Sequence, residues 1–343
     1  MIIYNVMSSK TITQDKVHGP ILVVLPKFIG DAINTLPAIA MLRSLYPEHS
    51  IHLLARPYML EVLERAEHYN IELIADNRYC KEHKQGMFSF ARTLRKTKYA
   101  MAVLFRGSIR EALLAKLAHI PLIVGYAQNG RKPLLSHALK LNECHHYIHR
   151  YCRLVNDVHN RPFSHFDLPS LSPRTIALPR HVHKTAVYVG GKNKGTRHYD
   201  VAKSVDALTC IAKSAETHFY ILGDPSESED AVRLSQALTE NKVPATNLAG
   251  KTTLGELVDT IAAMDIMISI DSGPMHIAAA CNVPCLALVG LGTSPWSIVR
   301  PLQNNLIALE SPSTSMIEHE IINDISPEMI ARQYIALLEK PKS

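Results

Sequence analysis

The sequence predicts an α/β protein built from two doubly wound halves, and three observations carry that reading. Short apolar runs alternate with helix-length segments of 3.6-residue period, the pattern of a parallel sheet covered on both faces. The alternation occurs twice, on either side of a proline- and serine-rich break at residues 162–183 that reads as a linker. The chain has 343 residues, 47% of them hydrophobic, which is enough for two cores and long for one.

In the first half, residues 21–26 (ILVVLP) read as a buried strand and 27–31 (KFIGD) as a tight loop. A helix over 32–46 follows, starting late or bending at Pro37, which removes a backbone donor. Further strands are predicted at 51–55, 71–75, 100–105 and 122–125, with helices near 57–67, 87–97 and 108–118. In the second half, strands are predicted at 186–189, 219–222, 246–248, 266–270, 285–289 and 306–309. Helices are predicted near 200–214, 227–240, 253–264, 274–281 and 327–338. The resulting organisation is a first domain over 1–170, with an extension over 1–19, and a second domain over 171–325. A last helix, within 326–343, is expected to turn back toward the first half.

Composition narrows the function classes. The formal net charge is +6 with 18 histidines counted neutral, a modest basic excess that suits anionic partners. Six scattered cysteines form no CxxC pair and read as small buried hydrophobes in a reducing compartment. No apolar run reaches the ~18 residues that span a bilayer, and the N-terminal residues lack a secretory pattern. The expected location is the cytoplasm.

Ligands of open α/β sheets bind beyond the carboxyl ends of the strands. That rule singles out the loops 27–31, 190–197, 223–229 and 271–276. Asp31 follows a strand and Gly30; it is suited to act as a general base on a hydroxyl, or alternatively to cap a helix. Asp271-Ser272-Gly273-Pro274 lies at a strand-to-helix turn whose backbone amides suit a diphosphate. His276, in the first helical turn, is either a ligand contact or a structural histidine. The loop 190–197 (GGKNKGTR) places Gly190, Lys192, Lys194 and Arg197 either around a phosphate or in solvent. Glu227 and Glu229 are suited to ribose hydroxyls or to a helix cap. His145, His146 and His149 are close in sequence, but no carboxylate or further ligand is suitably spaced, so no metal is expected. The P-loop pattern is absent, and the first half lacks GxGxxG, which argues against a dinucleotide oxidoreductase.

Four segments together resemble glycosyltransferase family 9, the heptosyltransferases. They are residues 25–47 (LPKFIGDAINTLPAIAMLRSLYP), 106–126 (RGSIREALLAKLAHIPLIVGY), 219–234 (FYILGDPSESEDAVRL) and 247–296, which contains the turn IDSGPMH. The resemblance runs in order from about residue 20 to 310. The middle of the first half looks nearer to the enzymes that add the second core heptose. The resemblance implies a GT-B fold, with two Rossmann-like domains facing a cleft that closes for reaction. It implies inverting transfer from an ADP-activated heptose to the inner core of lipopolysaccharide.

Carried over residue by residue, Asp31 becomes the base. Gly190, Lys192, Arg197, Glu227, Thr252, Asp271, Ser272, Gly273 and His276 become donor ligands, with Thr252 near the adenine. Lys27, Arg56 and Arg106 become the acceptor side. Arg197 stands where the family has lysine, and Tyr199 where it has tryptophan; the single tryptophan here is Trp296. No DxD motif is present, so transfer without a metal or other cofactor is expected. The implied partners are an ADP-sugar, the lipopolysaccharide core on lipid A and the cytoplasmic face of the inner membrane, with no nucleic acid. Another nucleotide-sugar transferase, a sugar-nucleotide epimerase on the same fold, or a non-catalytic relative are the alternatives.

Overall fold

The computed structural model describes residues 11–179, 183–191, 197–292 and 294–340. The chain divides into two units, one ending at Pro169 and one beginning at Ser170, within the predicted linker.

The first unit contains β1 (Ile21–Val24), α1 (Ile29–Ile33), α2 (Leu36–Leu45), β2 (Ile51–Ala55), α3 (Leu60–Leu63), β3 (Glu72–Ala75), α4 (Met87–Arg95), β4 (Met101–Leu104), α5 (Ile109–Leu117), β5 (Leu122–Tyr126), β6 (His137–Leu139) and α6 (Tyr147–Val158). Its six strands are parallel, in the order β3-β2-β1-β4-β5-β6. The central strands β1 and β4 are buried along their whole length, which explains their unbroken apolar sequences. Pro37 marks a break as expected, but the helical turns begin early, at Ile29, inside the stretch 27–31 read as a loop. The helical turns stop at Asn34, and α2 restarts with Pro37 in its first turn, where no backbone donor is missed.

One face of this sheet is covered by α4 and α5. Phe90, Ala91 and Leu94 of α4 and Ala112, Leu114 and Ala115 of α5 share a core with Leu22, Val24, Ala102 and Leu104 of the sheet. Beside α2 lies α6, held by the Tyr46 hydroxyl, which meets the ring of His159 at 2.7 Å.

The second unit contains β7 (His183–Tyr188), α7 (Val201–Ser214), β8 (Thr217–Ile221), α8 (Ser228–Glu240), β9 (Ala245–Asn247), α9 (Leu254–Ala262), β10 (Ile266–Ile270), α10 (Gly273–Ala280), β11 (Cys285–Val289), α11 (Trp296–Val299), β12 (Leu306–Glu310), α12 (Glu318–Asn323) and α13 (Pro327–Leu338). Its sheet runs β9-β8-β7-β10-β11-β12, again all parallel. Counted from the first strand of each unit, the order 3-2-1-4-5-6 is the same in both, that of a dinucleotide-binding fold. The chain entering this unit is fastened early: the Leu171 amide donates to the carbonyl of Ala280 at 2.9 Å, and the Arg174 amide donates to Asp259 at 2.8 Å. The last helix, α13, is anchored in the second unit, packing along α7. Its buried Tyr334 hydroxyl meets that of Thr185 in β7 at 2.7 Å.

Candidate active site

In the first unit, the loops after β1, β2, β3 and β4 gather the candidates. Asp31 is the third residue of α1, and the N-cap position belongs to Phe28, whose side chain makes no capping bond. The N-cap alternative for Asp31 therefore does not describe this helix. Asp31 lies close enough to Tyr151 of α6 to help hold that phenol well above its ordinary pKa, burial being the larger cause. Tyr151 in turn packs edge-on against Phe105, directly before Arg106.

Lys27, Arg56 and Arg106 are brought to one neighbourhood. The Tyr58 hydroxyl donates to the carbonyl of Lys27. Burial raises the pKa of the same phenol, against the opposing fields of Arg56 and Arg106. The Arg56 guanidinium lies over the Tyr79 ring at 3.1 Å from its centroid, with the Arg106 guanidinium 5.5 Å away. A stacked guanidinium keeps its in-plane N–H fork free for a planar anion.

Three residues the sequence did not single out support these cations. Glu111, fully buried at the start of α5, contacts Arg106 at 3.2 Å and accepts from Arg78 at 2.5 Å. Arg78 is also paired through two nitrogens with Asp76, at 2.7 and 2.8 Å. Those partners outweigh the burial that would lower its pKa and hold its charge firmly. Arg131, also fully buried, donates to the carbonyls of Arg106 and Tyr126. Burial brings its pKa down to about 10, which still leaves it charged at neutral pH. It thus ties together the ends of β4 and β5. The available sequence signal was the strand-end rule applied to every strand: Arg56, Arg78, Arg106 and Arg131 follow β2, β3, β4 and β5 within a few residues.

In the second unit, the strand-end loops are joined through glycines. Gly190 has φ +72°, a conformation that excludes most side chains, and a Cβ there would meet Ile270 at 2.9 Å. A Cβ at Gly191 would meet Asp230 at 2.9 Å, with Glu227 just beyond. Gly250, two residues before Thr252, lies against Pro225. A separate concavity is lined by Arg197, Asp271, Gly290, Leu291 and Gly292. Burial raises the pKa of Asp271, and Arg197 opposes that rise.

Ser272 occupies the N-cap of α10 in extended conformation, but its hydroxyl turns back to the carbonyl of Ile270 and makes no capping bond. The first-turn amides of α10 thus have no side-chain cap and point, with the positive end of the helix dipole, toward the loop side of the sheet. Gly273 and Pro274 open this helix, and His276 is buried in its first turn at 7% exposure.

Glu227 is buried at 3% exposure and completes a capping box: Asp224 N–H donates to it at 2.9 Å and the Tyr188 hydroxyl at 3.0 Å. The capping alternative is therefore realised. Glu229 is exposed and paired with Arg233. Tyr199 is buried, and its hydroxyl donates to Ile325 at 2.7 Å, which makes it an anchor of the core. Lys192 and Lys194 lie outside the described residues.

Among the described residues, the one group whose donor atoms converge as metal ligands would is His198, Asp200 and His319, within 4.8 Å of one another. The same atoms already form a histidine–aspartate contact at 3.0 Å. His146 caps α6, His145 bonds Asn142, and His149 packs on Phe166.

Comparison with known proteins places these features. The family model described as glycosyltransferase family 9 (heptosyltransferase) matches residues 87–325. The chain is 26% identical to lipooligosaccharide heptosyltransferase 2 of Haemophilus influenzae, over 93% of this chain and 99% of that one. It is 24% identical to lipopolysaccharide heptosyltransferase 2 of Escherichia coli, over 93% and 98%. Its fold superimposes on E. coli ADP-heptose heptosyltransferase II with a TM-score of 0.80 and 23% identity, covering 93% of this chain and 98% of the other. An E. coli heptosyltransferase solved with ADP-2-deoxy-2-fluoro heptose gives a TM-score of 0.69 at 17% identity, covering 92% and 99%.

Proposed function

The chain belongs to glycosyltransferase family 9 and has the GT-B fold, and from that premise we propose that it transfers a heptose from an ADP-activated donor to the inner core of lipopolysaccharide. The observation that carries this reading is the pairing of two identical sheet topologies with different strand-end chemistry. One set of loops presents arginines suited to an anionic acceptor, and the other presents glycines, α10 amides and Arg197 suited to a nucleoside diphosphate.

In this mechanism the acceptor hydroxyl attacks the anomeric carbon, and Asp31 takes its proton as the new C–O bond forms. The bond from the anomeric carbon to the β-phosphate oxygen breaks, and ADP leaves. Attack opposite the leaving group inverts the anomeric configuration. Arg197 and the amides of 273, 275 and 276 stabilise the charge that develops on the diphosphate. Glu227 and Thr252 hold the nucleoside, Asp271 and His276 border the diphosphate, and Gly190 lets the backbone approach it, with Lys192 of the same loop as a further cation. Lys27, Arg56 and Arg106 hold acceptor anions. Transfer proceeds without a metal, on the cytoplasmic face of the membrane that carries the acceptor. Among the described residues no helix is long and apolar enough to cross a membrane, so contact with that membrane is peripheral in this reading.

The test is transfer by the purified chain from ADP-heptose to a delipidated core oligosaccharide lacking the heptose, with product anomer read by NMR. Acceptor-dependent ADP release and an inverted linkage are expected, and both persist in EDTA. Failure to use ADP-heptose while another nucleotide sugar is consumed would overturn the donor assignment.

A further inference from the structure

The outer surface formed by α4 and α5 carries an unusual combination of groups. Towards the sheet, α4 buries Phe90, Ala91 and Leu94. Towards solvent it exposes Phe88, at 76%, together with Arg92, Arg95 and Lys96. On α5 the exposed residues are Ile109, at 45%, Leu113, at 41%, Arg110 and Lys116. Between the two helices a groove is lined by Phe88, Arg92, Arg95 and Leu117. Arg95 crosses it, donating to the carbonyl of Leu117 at 2.9 Å.

Over residues 81–119 the acids are Glu82 and Glu111, and Glu111 is buried against arginines. Within that stretch Glu82 is therefore the one exposed acid, against eight exposed Lys and Arg. The fold does not demand this charge. The helices at the same topological positions in the second unit, α9 and α10, contain no Lys or Arg.

We propose that the α4–α5 surface is the docking face for an anionic lipid bilayer. Cations interleaved with exposed Phe88, Ile109 and Leu113 match the interface of such a bilayer, where arginine and lysine meet phosphate headgroups and apolar side chains enter the acyl boundary. A protein partner of ordinary composition would not call for so one-signed a surface, so the charge complementarity selects the lipid. The inference rests on the reading that the acceptor is anchored in a membrane.

The experiment uses the full chain with vesicles of phosphatidylcholine alone or mixed with phosphatidylglycerol, read by flotation, beside transfer to the delipidated acceptor. The wild type is expected to float with the anionic vesicles only, and to be released by salt. Arg92→Glu with Lys96→Glu should weaken that binding at least about tenfold, and Phe88→Ser should weaken it less. Both variants should keep wild-type turnover on the delipidated acceptor, which also shows that they fold. Equal binding to neutral vesicles, no binding at all, or unchanged binding by the charge-reversal variant would overturn the proposal. So would a wild-type dimer that the variants dissolve, without vesicle binding. Failure of the wild type to glycosylate the delipidated acceptor would instead count against the transferase reading, which keeps the two failures apart.

Discussion

The two units have the same strand order but opposite chemistry at the ends of their strands. In the first, side chains project: Arg56, Arg78 and Arg106 lie around Tyr79, with Asp76 and Glu111 holding Arg78 and Glu111 holding Arg106. In the second, side chains are withheld: Gly190, Gly191, Gly223 and Gly250 let neighbouring loops close up, and α10 offers its amides. A rigid diphosphate is well served by backbone that comes near, whereas a charged branched sugar is better served by long arms. The contrast teaches that topology chooses where a ligand sits and loop chemistry chooses which ligand it is.

The sharpest way to break this comparison is at Asp31. Asp31→Asn keeps the size and hydrogen-bonding capacity of the side chain but cannot take a proton. Turnover should fall roughly 100- to 10,000-fold, with ADP affinity by calorimetry unchanged and stability within about 1 kcal/mol. Turnover within a few-fold of wild type would remove Asp31 as the base.

A next effect in size is expected at Glu111, because its loss leaves Arg106 without its buried counter-charge and Arg78 with Asp76 alone. Glu111→Ala should lower unfolding stability in urea by about 3–5 kcal/mol, the usual consequence of breaking a buried ion pair from one side. A loss below about 1 kcal/mol would show that the arginines do not depend on it.

Gly190→Ala probes the other strategy without changing charge. Forcing a side chain into φ +72° against Ile270 should cost about 1–2 kcal/mol, and ADP binding should weaken while acceptor binding holds. An equal loss of both would erase the distinction between the units.

The smallest effect concerns Asp271. Burial raises its pKa above the ordinary value of 3.8, so its ionised form opposes folding of the donor-free protein. Asp271→Asn should therefore raise the melting temperature at neutral pH. That gain should grow as pH rises through the elevated pKa, and vanish below the ordinary value, where the wild-type acid is protonated too. A gain that does not change with pH would refute the burial argument.

Much of this was legible in the sequence because both sheets are parallel and buried, so their strands are unbroken apolar runs between strong punctuation. The runs at 21–24, 101–104, 266–270 and 285–289 could hardly be anything else. Four elements were less visible, α11 among them with only four residues. Only three residues long, β6 follows a turn-rich segment. In α6 the apolar stripe of Ile148, Cys152, Val155 and Val158 is diluted by histidines and arginines that drew attention as a possible cluster. In α12 there are only six residues. The second-half strand-end loops stood out because glycine, acid and base occur together within a few residues. Arg56 and Arg106 came only through the resemblance, and Arg78 and Arg131 were not singled out, because each is a single residue on a separate loop and only the order of the strands makes them neighbours.

The corner that carries Arg197 is pinned from the far end of the chain. Tyr199 donates to the carbonyl of Ile325, the Asp200 amide to Asn323, and His319 meets Asp200. During synthesis this imposes a sequence of events. The first unit, arginines included, is complete in residues up to Pro169 and can fold while the ribosome is still working. The second unit takes on the order of ten further seconds to make, and its Arg197 corner has no clasp until residues 319–325 emerge. The nascent chain therefore acquires the arginine group of its first unit early and its finished Arg197 corner only after residue 325.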